Sequence, residues 1–230
     1  MIILVGTGHV FNLFSAINKI LKEKNPDIIC VELDKQRYNT LLKKKKNQER
    51  YKEDKIDAPI LYKLFVRHQE KMAKRYGVNP GDEMITAIKY AESHELPIEF
   101  IDKSAQDIYK RTINSMSLSE KTKISLLGIL VTFFGWFFEY GEKKDEQLEK
   151  IGKNTDNYLK KFEKKFPNIK RLVIDDRNNY MGKKLIKLNG KYKKILTFIG
   201  DGHVLGISEI LRLNNIKHEV IRLKDLNKKN

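Results

Sequence analysis

The sequence predicts an α/β fold, a mainly parallel central sheet flanked by helices with an inserted helical region, in a single domain over residues 1–230. Three observations predict it. Short apolar runs of strand length, Ile2–Val5, Ile28–Leu33 and Ile195–Ile199, are each followed by a segment with apolar residues at helical spacing. The first run, its helix and the second run form a βαβ unit, which implies parallel strands and a right-handed crossover. Finally, 230 residues with 40% hydrophobic and 33% charged side chains suffice for one sizeable core and argue against disorder.

In chain order, residues 2–5 read as a strand ending in Gly6. Val10, Leu13, Phe14, Ile17, Ile20 and Leu21 then recur at helical spacing until Asn25-Pro26, where proline stops the helix. Ile28–Leu33 is the second strand, and Asp34 opens a helix carrying Tyr38, Leu41 and Leu42. Residues 47–80 read as a charged helical excursion, interrupted near Pro59 and closed by Gly77 to Pro80. Gly81–Ser93 is amphipathic, and Pro97–Ile101 reads as a third strand ending at Asp102. From about residue 104 to 165 the pattern is helical, which is the insertion. Arg171–Asp175, Ile195–Ile199 and Glu219–Leu223 read as three further strands, the first two separated by a helix around Tyr180–Lys187. Within the insertion, Ile124–Phe138 is the most apolar stretch of the chain. It is shorter than the ~20 residues a membrane-crossing helix needs, so it reads as a core helix, one that seals a homodimer, or an exposed patch for a peptide or partner.

Composition narrows the function classes. Forty-six Lys and Arg against 30 Asp and Glu give a net charge of +16, but only Lys43–Lys46 and Lys228–Lys229 form runs. The excess therefore reads as a solvated lysine-rich surface rather than a nucleic-acid site. The single cysteine, Cys30, lies in an apolar strand and reads as a buried, inert thiol, which excludes a disulfide framework and a cysteine-rich zinc site. Met1 leads into the first strand without a basic region or cleavage site, so a cytoplasmic protein with no transmembrane segment is expected.

The strongest functional signal is a repeated turn. Gly6-Thr7-Gly8-His9 and Gly200-Asp201-Gly202-His203 each follow an apolar strand, continue with valine and lead into a helix. Such turns sit at the carboxyl edge of a parallel sheet, where open α/β folds place ligands. The recurrence points to an internal duplication or to one site built from both halves. His68, His94 and His218 lack a matching frame and are expected at the surface. Glu32 ends the second strand and brings a carboxylate to the edge that carries His9. His with Glu can polarise a water as a general-base pair, or both can ligate a divalent ion. Arg37 and Tyr38, about one helical turn beyond Glu32, are placed to hold an oxyanion or a substrate carboxylate. A dinucleotide-binding loop is excluded, because Phe11 stands where the third glycine must allow close helix–strand packing.

Ile3 to Val10, Pro26 to Asp34 with Arg37-Tyr38, Gly81 to Met84, Phe100 to Lys103, Ile174 to Met181 and Ile199 to Val204 together resemble the TraB/PrgY family, which is similar to the Tiki and GumN proteins. The resemblance covers nearly the whole chain. Gly8 stands where the family carries alanine, and Lys103 where many relatives carry arginine, which keeps the charge but loses planar two-pronged binding. Many relatives continue into C-terminal membrane helices, and a chain ending at Asn230 without them agrees with a soluble form. The resemblance implies a hydrolase superfamily in which Tiki-like members are metal-dependent proteases and TraB-like members limit peptide pheromone signals. It also implies functional roles for His9, Glu32, Arg37, Glu83, Asp102, Arg177 and His203.

The leading expectation is therefore a metal-assisted peptide hydrolase. His9, Glu32 and His203 would hold Mn²⁺, Co²⁺ or Zn²⁺ or its activated water, Arg37 or Arg177 would steady the oxyanion, and Gly6, Gly8, Tyr38, Glu83, Asp102, Gly200 and Gly202 would line the substrate site. Two alternatives stand beside it. One is a metal-independent ester or amide hydrolase using the His/Glu pair, and the other is a non-catalytic protein that binds or sequesters a peptide or small ligand.

Overall fold

The computed structural model describes residues 1–8, 13–46, 81–123, 156–157 and 159–226. His9, the excursion at 47–80 and the apolar stretch 124–138 lie outside the described residues. Five strands form one sheet: β1 (Ile2–Thr7), β2 (Ile28–Val31), β3 (Ile98–Phe100), β4 (Ile195–Gly200) and β5 (His218–Ile221). All four pairings are parallel, and the order across the sheet is β3-β2-β4-β1-β5. β4, though late in sequence, is inserted between the two strands of the N-terminal βαβ unit.

The helices are α1 (Phe14–Lys24), α2 (Lys35–Lys46), α3 (Asp82–Ser93), α4 (Ala105–Ser115), α5 (Pro167–Lys170), α6 (Asp176–Asn189), α7 (Asp201–Leu213) and α8 (Leu223–Leu226) among the described residues. Residues 118–123 and 159–165 are also helical. Local chemistry sets several ends. α1 stops at Asn25, which takes a left-handed φ of 42° immediately before Pro26. α5 starts on Pro167, whose fixed φ suits a first helical turn.

The expectation of a strand at Arg171–Asp175 is overturned. This run forms a π-helical turn that joins α5 to α6. A short apolar run cannot by itself distinguish a strand from a buried helical segment. Here the helix has already begun at Pro167, and of the five residues only Leu172 is buried.

Strand alternation divides the core into two layers. Ile3, Val5, Ile29, Val31, Leu196 and Phe198 face Ile17 and Leu21 of α1 and Met84, Ile85 and Ile88 of α3. Ile2, Leu4, Ile28, Cys30, Ile195 and Ile199 face Met181 and Leu185 of α6 and Val204, Ile207 and Leu211 of α7. The helices leaving adjacent β1 and β4 therefore cover opposite faces. That is the topological switch at which parallel sheets open a crevice at their carboxyl ends. Cys30 is fully buried, and burial pushes its thiol pKa up, in line with an inert side chain.

Candidate active site

The carboxyl ends of β2, β3 and β4 bring three groups together. Glu32 follows β2, where its N–H donates to Phe198 O (3.0 Å); Asp102 follows β3, and Gly200 ends β4. Glu32 Oε2 accepts the Gly200 N–H at 2.6 Å. Into this cluster α6 sends Arg177 and Asn178, and α7 sends His203. Their chain separations exclude local structure as the reason for the meeting: Arg177 lies 145 residues from Glu32 and 75 from Asp102.

Arg177 is the hub. Its Nε donates to Asp102 Oδ1 (2.9 Å) and Nη2 to Asp102 Oδ2 (2.7 Å), a two-pronged pairing. Nη2 also donates to Glu32 Oε1. Nη1 donates to Val173 O (3.2 Å), one turn back across the π turn, and to His203 Nε2 (3.0 Å). All five N–H donors of the guanidinium are thus used. Glu32, Asp102 and His203 are themselves buried. Although burial opposes it, the carboxylates of Glu32 and Asp102 raise the arginine pKa further, so Arg177 stays charged.

These contacts fix the state of His203. A guanidinium only donates, so His203 Nε2 accepts, and Nδ1 donates to Asn178 Oδ1 at 2.7 Å. Burial lowers its pKa, with Glu32 opposing, so the ring is neutral at neutral pH. His203 Nε2 lies 3.4 Å from Glu32 Oε1.

The two glycine turns meet as adjacent strands. Thr7 pairs with Gly200, and Thr7 Oγ1 donates to Ile199 O at 3.2 Å. Gly6 is required by close approach, since a Cβ there would lie 2.3 Å from Asp201 Oδ1. Asp201 cannot yield easily. Arg222 grips it through Nε (2.9 Å) and Nη2 (2.7 Å), and the Leu223 N–H adds a third bond at 2.9 Å. The second turn is a direct strand-to-helix junction, with Gly202 and His203 already in the first turn of α7. The half-buried Gly8 follows β1.

The other expected residues stand on separate elements. Arg37, in the first turn of α2, is half-buried, and its guanidinium has no ion pair or hydrogen bond among the described residues. Tyr38 is half-buried and packs against the edge of the core: its ring lies 5.1 Å from Phe100, and its hydroxyl donates to Glu92 Oε1 at 3.0 Å. Glu83 is buried in the first turn of α3, which runs back toward β3 and so begins at the carboxyl edge. His94 is exposed as expected. His218 is instead half-buried in β5, bonded to Ser208 Oγ (2.8 Å) and Ile216 O (2.8 Å).

Sequence reasoning missed Asn178, Asp201 and Arg222. Asp201 was visible as the variable position of the second turn. Asn178 adjoins Arg177, but a strand over 171–175 would place it in a connecting turn. Arg222 gave no signal, because its partner lies 21 residues away on another element.

The profile of the TraB/PrgY/gumN family matches residues 1–217. The chain belongs to this family. It is 29% identical over 223 residues to an uncharacterized protein of Methanocaldococcus jannaschii, an alignment covering 92% of this chain and 53% of that protein. The chain thus spans about half the length of that relative. Glu32, Asp102, Arg177, Asn178 and His203 all fall within the family match, whereas Arg222 lies beyond it. Among the described residues, no helix is long and apolar enough to cross a membrane.

The donor chemistry of Glu32, Asp102 and His203 would suit a divalent ion, but as folded these residues do not fit one. His203 has a single acceptor lone pair, on Nε2, and Arg177 takes it.

Proposed function

We propose that this TraB/PrgY/gumN protein is a hydrolase of amide or ester bonds in peptides, with Glu32 as general base. The observation that carries the reading is the buried cluster at the carboxyl edge, where Glu32 is held by Arg177 and the Gly200 N–H beside a neutral His203. Charged groups taken out of water and fixed at a ligand-binding edge characterise catalytic sites more than scaffolds.

As general base, Glu32 takes a water proton on a carboxylate oxygen. The water oxygen attacks the substrate carbonyl carbon while its proton passes to Glu32. Collapse of the tetrahedral adduct expels the amine or alcohol, which takes that proton back and restores the carboxylate. With its five donors engaged, Arg177 is a positioning residue, and the oxyanion role falls to Arg37. His9, in the matching turn, is assigned as a second proton-transfer group. The peptide substrate rests on the family resemblance.

Cleavage of a panel of peptides and esters by wild type and Glu32→Gln, with and without chelator, tests this. Chelator-resistant turnover that falls by about 10²-fold or more in a folded Glu32→Gln variant is expected. Tight peptide binding without turnover across the panel would establish a sequestering protein instead. Turnover abolished by chelator and restored by Mn²⁺, Co²⁺ or Zn²⁺ would favour the metal-dependent alternative.

A further inference from the structure

We infer that Arg177 is the resident cation of this site: its guanidinium fills the place a divalent ion would take among Glu32, Asp102 and His203, and keeps such ions out of the wild-type protein. The inference does not depend on hydrolysis, because it concerns occupancy rather than turnover.

Competition for one lone pair carries the argument. A carboxylate can serve a guanidinium and an ion together, since it offers about four acceptor positions. A neutral imidazole cannot. His203 Nδ1 is committed to Asn178 Oδ1, and Nε2 accepts from Arg177 Nη1 at 3.0 Å. A metal on Nε2 and the Arg177 bond are mutually exclusive.

Charge points the same way. Two buried carboxylates need a counter-charge, and Arg177 supplies it through the two-pronged grip on Asp102 and the bond to Glu32. A divalent ion placed beside the guanidinium would meet its like charge at close range, although the two carboxylates and Arg177 together still carry one net negative charge.

Spacing suits a shared ion for one donor pair. His203 Nε2 and Glu32 Oε1 are 3.4 Å apart. Tetrahedral ligands at 2.0–2.1 Å from zinc are separated by about 3.3 Å. Removal of the guanidinium would leave an imidazole and two carboxylates, the ligand types of an open zinc site.

The test compares Zn²⁺ binding by untagged wild type, Arg177→Met and Arg177→Met/His203→Gln, using calorimetry, thermal melts and ¹⁵N spectra of the histidine rings. Wild-type His203 should show a protonated Nδ1 and an unprotonated Nε2, and Zn²⁺ should leave both signals in place. Arg177→Met should melt lower without metal, gain one Zn²⁺ per chain and recover melting temperature on binding. The double variant should lose that gain. A shift of the wild-type His203 Nε2 signal on adding Zn²⁺ would overturn the inference, as would a folded Arg177→Met that gains no ion. If Arg177→Met does not fold even with Zn²⁺, the wild-type titration decides alone.

Discussion

Burial of His203 gives the protein a pH dependence whose sign can be worked out. The ordinary imidazole value is 6.5, and in the fold burial lowers it. As pH falls below that value, the unfolded chain takes up a proton that the native protein refuses. The stability held by the neutral ring is therefore fully present above the unfolded pKa and is lost as pH falls through it toward the lowered native value. Urea midpoints should drop between about pH 8 and about pH 5, and His203→Gln should remove part of that slope. An unchanged slope in the variant would mean that His203 is not held neutral by the fold. Glu120 acts in the same direction at lower pH. Burial alone would raise it, but the N–H groups of Ser117 and Asn168, with their side chains, pull its pKa down to about 2.

At the scale of elements, the packing of α6 against α7 sets the site. A Cβ at Gly206 would lie 2.1 Å from Asn178 Nδ2 and 3.0 Å from its Cγ. Gly206 thus lets α7 approach closely enough for Asn178 to reach His203. Glycine inside a helix ordinarily costs roughly 0.5–1 kcal/mol relative to alanine, so Gly206→Ala would stabilise an unobstructed helix. Here the sign should reverse, with a lower melting temperature because the Asn178 amide is pushed off His203. In an Asn178→Ala background the same substitution should become neutral or stabilising. A cycle in which the two changes simply add would sink this account. The π turn at Arg171–Asp175 also belongs to this scale. It ends two residues before Arg177 and supplies the Val173 carbonyl that accepts one of its N–H bonds. π turns of this kind often accompany functional sites.

At the scale of the whole molecule, a net charge of +16 acts as self-repulsion in the compact state. Screening lengths shrink from about 30 Å at 0.01 M salt to about 10 Å at 0.1 M. The melting temperature should therefore rise over that range of sodium chloride, and a fall would show that surface ion pairs outweigh the repulsion. The network around Arg177 should be nearly insensitive to this change, since its members are shielded from solvent.

Chain order and periodicity determined the layered α/β architecture, because a strand between two helical layers must be apolar on both faces and its sequence says so. Five of the six expected strands are present, and Arg171–Asp175 is not, because its composition suits either state and Pro167 decided the matter nearby in sequence. The sequence also placed Glu32, Asp102, Arg177 and His203 among the candidates, through strand ends and family resemblance. Only the tertiary structure decided what they do to one another. Hydrogen-bond partners depend on which strand ends become neighbours, and the insertion of β4 between β1 and β2 follows from contacts between distant parts of the chain. The twin glycine turns are adjacent for that reason, Tyr38 packs its ring against the edge of the core, and Arg177 is the charge around which Glu32, Asp102 and His203 are ordered.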